Sequence, residues 1–433
     1  MCKYFEMWVT KCALVFLACA VVVFGRRSPN AADIEEYYLR GPEAGRYSND
    51  LIEDALLDVP DLVRKYGYSL EVHNVRTEDG YLLELHRIPQ GRDQNNFPDH
   101  TRPAVLVQHG LTSSSADFVL MGPGIGLGYI LAEAGFDVWL GNARGNYYSR
   151  KHSTLDPDAR EDRGEFWRFS WEEIGSKDLP AMIDHILAVT GKPRLHYIGH
   201  SQGTTVFFVM GALRPEYNEK IISMHALAPV AYMEHNINRL FLALAPYANS
   251  LELLGRLIGV YEVLPNSPFF TEMGQNYCAD GTTTQILCSN FMFLFAGGGA
   301  EFHNATMLPV KLGHTPAGIS LRQIAHYGQH ISKDFFRRYD HGLLTNFRLY
   351  GSFTPPSFDL SKVTSPVFLH YAEVDTFAHP DDVERLWREL GRPMGKIRVA
   401  HRAFGHVDFM WGTEAKTLVY DRVIDIMKSF GNL

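Results

Sequence analysis

The stretch LHYIGHSQGTT, residues 195–205, holds a single serine between two glycines, with apolar residues before it and VFFVMGAL after it. Leu195 to Ile198 reads as a short buried strand and Thr204 to Leu213 as a helix, so only Gly199-His200-Ser201-Gln202-Gly203 joins them. A turn that tight forces its central residue into a strained backbone, which glycines at minus two and plus two, Gly199 and Gly203, make tolerable. The strain lifts the Ser201 hydroxyl out at the top of a sheet, as in a nucleophile elbow. The G-x-S-x-G pattern does not carry that assignment alone, since chance produces it in roughly one chain in seven of this length. The strand before and the helix after make Ser201 a candidate nucleophile rather than a turn serine.

Working outward, the runs AVLVQHG (104–110), FDVWLGN (136–142) and SPVFLHYAEVD (365–375) read as further buried strands. Between the second of these and the serine lies SKDLPAMIDHILAVTGKP (176–193). Its Leu179, Met182, Ile183, Ile186 and Leu187 form one helical stripe, with Pro180 early and Gly191 and Pro193 beyond the end. Strand, helix, strand is the repeating unit. It predicts an α/β fold with a mostly parallel sheet covered by helices on both faces and ligands beyond the carboxyl ends of the strands. Upstream, YSLEVHNVRTEDGYLLELHRI (68–88) predicts a hairpin turning at Glu78-Asp79-Gly80, with Tyr81, Leu83 and Leu85 on one face of its second strand.

A serine nucleophile needs a base, and the base needs an acid to hold its tautomer, in the chain order Ser, Asp or Glu, His for this kind of sheet. Asp375 lies in the loop after the strand Val367 to Tyr371, while Asp381 and Asp382 read as first-turn acids of a helix starting near Pro380. His406 follows Gly405 in the loop after KIRVA (396–400), where the base belongs; His401 reads as a strand-end surface residue and Asp408 as a local cap. Acyl transfer also needs two N–H donors for an oxyanion. Gln202, next after the nucleophile, and Leu111, after the strand end His109-Gly110, are the candidates, with His109 a structural hydrogen-bonder.

The chain's 433 residues, with 46% hydrophobic and 21% charged side chains, are globular in composition, and the net charge of −8 gives no footprint for nucleic acid. The first stretch carries Lys3 and Lys11, then an apolar run from Cys12 to Phe24 ending at Gly25. It predicts a signal peptide over 1–25, the competing reading being a retained membrane anchor. Cleavage would remove Cys2, Cys12 and Cys19 and leave Cys278 and Cys288. In an oxidising compartment that pair, closing a short loop with Asp280-Gly281, predicts a disulfide, against two buried free thiols. No Cys or His spacing marks a metal site, and the chemistry expected of Ser201 needs no cofactor. Asn304-Ala305-Thr306 is a glycosylation sequon, which places Asn304 at the surface.

Several longer motifs then carry a resemblance: HGLTSSSADFV, GFDVWLGNARGNYYSRKH, FWRFSWEEIGSKDLPAMIDHIL, YIGHSQGTT, FGHVDFMWG, and DVPDLVRKYGYSLEVHNVRTEDGYLLELHRIP near the start. Together, from Asp58 onward, they resemble the acid lipase family that includes gastric lipase and lysosomal acid lipase. The resemblance implies an α/β-hydrolase core with an inserted, mainly helical cap, and hydrolysis of neutral lipid esters at a lipid–water interface. It implies Ser201 as nucleophile, Asp375 as triad acid, His406 as base, and Leu111 and Gln202 as oxyanion donors. FLFAGGG (293–299) lacks a further cysteine common in the family, which leaves the Cys278–Cys288 pairing. AEVDTFAHP (372–380) departs from the family's usual surroundings of the acid.

The expected organisation is a polar N-terminal segment over 26–57, loosely attached or processed, a first part of the core over 58–230, a cap over 231–355 and a second part of the core over 356–433. The expected setting is secreted, or the lysosomal lumen, with transient contact to a membrane or lipid droplet. Two further readings stand beside the triacylglycerol lipase: a soluble carboxylesterase or sterol ester hydrolase of the same fold, and a non-catalytic lipid-binding protein, which would be expected to lose triad members.

Overall fold

The computed structural model describes residues 49–92, 102–267 and 300–430. The signal and anchor readings, all five cysteines and the Cys278–Cys288 pair lie outside the described residues. The strands are β1 (Glu71–Arg76), β2 (Tyr81–Ile88), β3 (Ala104–Gln108), β4 (Asp137–Gly141), β5 (Lys151–His152), β6 (Leu195–His200), β7 (Ile221–Leu227), β8 (Glu262–Val263), β9 (Ile319–Ser320), β10 (Val367–Tyr371) and β11 (Pro393–Arg398). Nine of them form one sheet in the order β1-β2-β4-β3-β6-β7-β10-β11, with β5 on the side of β2. The pairs from β4 through β11 are parallel, and β1, β2 and β5 pair antiparallel at one end.

The expected mostly parallel sheet is present, and its cause is visible in burial. Every residue of β3, β4 and β6 is buried, as strands covered on both faces must be. The antiparallel hairpin alternates instead, with Tyr81, Leu83 and Leu85 inward. Its turn is pinned from within the fold: buried Arg144 makes paired bonds to Asp79 at the turn (2.8 and 3.0 Å) and reaches Asp178 (2.6 and 2.8 Å), with Tyr81 beneath its guanidinium at 4.0 Å.

The helices used below are α1 (Asn49–Leu56), α2 (Val59–Lys65), α3 (Leu127–Glu133), α4 (Leu179–Thr190), α5 (Gln202–Leu213), α6 (Arg239–Leu244), α7 (Ala248–Ile258), α8 (Leu308–His314), α9 (Leu321–His330), α10 (Leu343–Tyr350), α11 (Pro380–Glu389), α12 (Asp408–Trp411) and α13 (Asp421–Phe430). Helix α4 buries Leu179, Met182, Ile183 and Ile186 and ends on left-handed Gly191 (φ 68°); Leu187, expected in the stripe, is only half-buried at its edge. From β7 to β10 the described residues are mainly helical, α6 to α10, with β8 and β9 as a separate antiparallel pair.

A boundary at residue 57 cuts through packed structure. Residues 49–56 form α1, which buries Ile52 and Ala55 and lies against α8, so closely that a Cβ on Gly313 would sit 2.3 Å from the Ala55 carbonyl. Leu51, Ile52, Ala55 and Leu56 stand at helical spacing, a short apolar stripe hidden in an otherwise polar stretch.

The sheet carries a line of histidines through its centre. His196 on β6 meets Ser223 of β7 (2.7 Å), Ser223 meets His225 (3.1 Å), and His225 meets His370 of β10 (3.2 Å), all buried. Burial pushes His196 down to about 4 and His370 to about 3, and holds His225 far below the ordinary imidazole value. His326 is held far below it as well, His109 is pushed down to about 4, and His330 to about 3. Against them, burial raises Asp117 to about 6 and Glu172 to about 7.

For each such histidine the unfolded chain binds a proton below about pH 6.5 that the folded chain refuses until well below that, so stability falls as the pH drops through that window. The raised carboxyls, Asp58, Asp117, Glu172, Asp178, Glu262 and Asp408, act the other way, but with His200, His303 and His314 lowered as well the histidines outnumber them. Thermal unfolding followed by calorimetry is therefore expected at lower temperature at about pH 4.5 than at about pH 7, by several degrees or more. An unchanged or raised midpoint would mean that these rings do not stay neutral.

Candidate active site

The elbow has the strain that its sequence implies. Ser201 sits at φ 51°, ψ −115° between the end of β6 and the start of α5, and its N–H donates to the Leu227 carbonyl (3.0 Å). Both flanking glycines are required by close approach: a Cβ on Gly199 would lie 2.6 Å from the Gly203 carbonyl oxygen, and one on Gly203 would lie 2.3 Å from the Gln108 carbonyl oxygen. The obstacle at Gly203 is the main chain of the neighbouring strand, which cannot rotate aside. Gly203→Ala is expected to destabilise the fold by about 3 kcal/mol, measured by denaturant unfolding. A midpoint equal to wild type would show that α5 can slide off β3 without loss.

The structure brings Ser201, His406 and Asp375 together from three separate strand ends. His406 Nε2 is 2.7 Å from Ser201 Oγ, and His406 Nδ1 is 2.9 and 2.8 Å from the two Asp375 oxygens. Asp375 is fully buried, and its Oδ1 also accepts the N–H groups of Phe377 (2.9 Å) and Ala378 (2.9 Å). Burial alone would raise this carboxyl; the facing His406 and the two backbone donors outweigh it and hold Asp375 below the usual carboxylate value. His406 is fixed from behind by His200, whose Nε2–H donates to the His406 carbonyl (2.9 Å).

Gln202 opens α5, where first-turn N–H groups have no partner inside the helix, and Leu111 follows Gly110 at the cavity wall. Gly110 lies against the nucleophile: a Cβ there would stand 3.2 Å from Ser201 Cβ. His109 Nδ1–H donates to the Gly110 carbonyl (2.8 Å), while its Nε2 accepts from Ala143 N–H (3.1 Å) and from the Asn146 amide (3.2 Å). One neutral tautomer satisfies all three contacts. Since a trans peptide's N–H points opposite to its C=O, the bond at Gly110 also sets the direction of the Leu111 N–H.

An apolar cavity opens over Ser201. Leu111, Val230, Met233, Phe241, Leu312, Ile324, Phe377 and Met410 line it, with Asp117, Tyr327 and Trp411 among its polar-tipped walls. Asp381 and Asp382 lie in the first turn of α11; Asp382 is buried and holds His235. His401 is half-exposed away from the serine, and Asp408 starts α12 and bonds Gly405 N–H at 2.6 Å. Asn304 is exposed, with its Oδ1 accepting from Thr306 N–H and Oγ1–H. Sequence reasoning did not single out His200 or Asp117; the only signal for either is its closeness to a motif residue.

Residues 59–122 match a model described as a partial alpha/beta-hydrolase lipase region, and residues 103–413 match the alpha/beta hydrolase fold model. Lipase 1 of Drosophila melanogaster is 43% identical over 387 residues, covering 89% of this chain and 83% of that protein. The chain belongs to the α/β-hydrolase lipases. Gastric triacylglycerol lipase of Bos taurus is 35% identical, over 86% of this chain and 92% of its own length. Among solved structures, one assigned as a lipase from Sulfolobus solfataricus superposes with a TM-score of 0.54 at 14% identity, over 83% of this chain and 93% of that one, a likeness of fold. The resemblance read from the motifs is correct, and this α/β-hydrolase lipase is a carboxylic ester hydrolase. Among the described residues no helix is long and apolar enough to cross a membrane.

Proposed function

We propose that this lipase hydrolyses triacylglycerols and related neutral lipid esters through an acyl-enzyme on Ser201, and that it works outside the cell or in the lysosomal lumen. The observation that carries the reading is the continuous line from Ser201 Oγ through His406 to buried Asp375, opening into an apolar cavity. His406 Nε2 takes the Ser201 proton as Oγ attacks the ester carbonyl, and Asp375 holds the imidazolium. The N–H groups of Leu111 and Gln202 receive the oxyanion. The alcohol leaves with the proton from His406, and water, deprotonated in turn by His406, frees the fatty acid and Ser201.

The gastric relatives' substrate supports the choice of triacylglycerol. The apolar run from Cys12 to Phe24 and the exposed sequon at Asn304 support export, and a Cys278–Cys288 disulfide belongs to the same reading. Exposed Leu253, Leu254 and Leu257 on α7, and Leu343, Leu344 and Phe347 on α10, support passing contact with a lipid surface.

The test is fatty acid release from an emulsified triacylglycerol between about pH 4 and 8, beside a short ester taken through its solubility limit. Release from the emulsion, with the rate on the short ester rising as it passes that limit, is expected. Turnover of the dissolved ester alone would replace this reading with a soluble esterase.

A further inference from the structure

Behind His406 lies a group of buried ionisable side chains that acyl transfer does not use. Gly405 N–H donates to Asp408 Oδ2 (2.6 Å), and Asp408 N–H donates back to the Gly405 carbonyl (3.3 Å), so the turn carrying His406 is closed on itself. The second carboxylate oxygen, Oδ1, is buried without a well-aligned donor and faces His303 Nε2 at 3.3 Å. On the far side of that ring, Lys311 Nζ stands 3.5 Å from His303 Nδ1 and 5.4 Å from the centre of the Trp411 ring. Lys311 is 2% exposed. A lysine is almost never buried so deeply unless an opposite charge compensates it. It belongs to α8, where the next residue, Leu312, lines the cavity, so one short helix carries both a wall of the pocket and this charge.

We propose that Lys311, acting through His303 on Asp408, is a positioning residue for His406. Its charge keeps the Asp408 carboxylate ionised, and the ionised carboxylate holds the turn that aims His406 Nε2 at Ser201. The inference rests on the acyl-enzyme reading of the site.

The surrounding groups set the direction of the effect. Burial pushes Asp408 up to about 6, with Asp375 adding to the rise, while the Gly405 N–H, Lys311 and His401 pull it back. Burial lowers Lys311 to about 8 against the attraction of Asp408, and burial and Lys311 together lower His303 to about 4. Glu301 lies 3.9 Å from His401, and Asp117, raised to about 6 by burial, approaches the group from the Trp411 side. Removing the Lys311 charge takes away one of the influences that keep Asp408 ionised. Asp408 then takes its proton at higher pH, and the Gly405 bond loses its charge assistance there.

The experiment compares Lys311→Met, Asp408→Asn and the double variant on p-nitrophenyl butyrate, with kcat, KM and the pH profile of kcat/KM. Lys311→Met is expected to lower kcat about tenfold with KM little changed, and to move the acid limb to higher pH. In the Asp408→Asn background the same change is expected to add nothing. A wild-type kcat with an unshifted acid limb, or equal losses in both backgrounds, overturns the proposal. If Lys311→Met fails to fold, His303→Gln is read by the same two criteria. Ser201→Ala assayed alongside separates the levels: turnover by that variant removes the acyl-enzyme reading, whereas its inactivity with an unshifted Lys311→Met profile removes only this inference.

Discussion

Ser201→Ala is expected to lower kcat on any ester by about 10⁶-fold, with the protein folded and stable. The substitution deletes one oxygen and nothing else that the elbow needs. The positive φ of 51° is already borne by a residue with a Cβ, and the hydrogen bond from Ser201 N–H to the Leu227 carbonyl is main chain to main chain. What remains after the change is the proposed donor pair at Leu111 and Gln202 and the cavity, which in serine hydrolases of this kind leave a residual rate about 10³–10⁴ above that in water. Two measurements check it together: turnover of a soluble ester, and intact mass after treatment with an organophosphonate that phosphonylates activated serines. Wild type is expected to gain one phosphonyl group and Ser201→Ala none. An adduct on the alanine variant, or turnover near the wild-type rate, would take Ser201 out of the chemistry.

The parts of this site that sequence reveals are those whose physics is local. A buried strand, a five-residue turn and a helix in succession leave few conformations for Ser201, and two glycines at fixed offsets mark where a side chain would meet the next strand. Asp375 and His406 follow from chain order and from loops at strand ends. Asp408 is legible beside His406 only as a local cap; Lys311 and His303 meet it only when α8 folds over the loop after β11, and neither has a neighbour in sequence that hints at it. The same holds for α1, whose apolar stripe becomes legible only against α8.

Histidine content shows the difference between counting and placing. Nineteen histidines imply a chain that turns positive in acid. The structure buries several in the sheet and behind the elbow, where they refuse protons, so acidification threatens the fold before it recharges those positions. An acid working range, which the family resemblance suggests, is therefore bounded below by these rings. Asp375 itself is not the limit, because it is held below the ordinary carboxylate value.

Asp375→Asn is expected to cost about 10⁴-fold in kcat with little change in KM, for a reason written in its hydrogen bonds. Oδ1 of Asp375 accepts from Phe377 N–H, Ala378 N–H and His406 Nδ1–H, whereas Oδ2 faces only His406 among these donors. An asparagine in this place keeps its amide oxygen toward the two backbone donors, which leaves its NH2 pointing at His406 Nδ1. The ring then carries its proton on Nε2, 2.7 Å from Ser201 Oγ, and has no lone pair left to receive the serine proton. Geometry survives while the tautomer is wrong, so substrate binding persists and proton transfer does not. Steady-state kinetics on a soluble ester, with proton NMR of the ring to identify which nitrogen is protonated, tests both halves. A loss smaller than about tenfold would reduce Asp375 to a structural acceptor for its own loop. The search for the group that orients His406 would then turn to Asp408, the other buried carboxylate beside that turn.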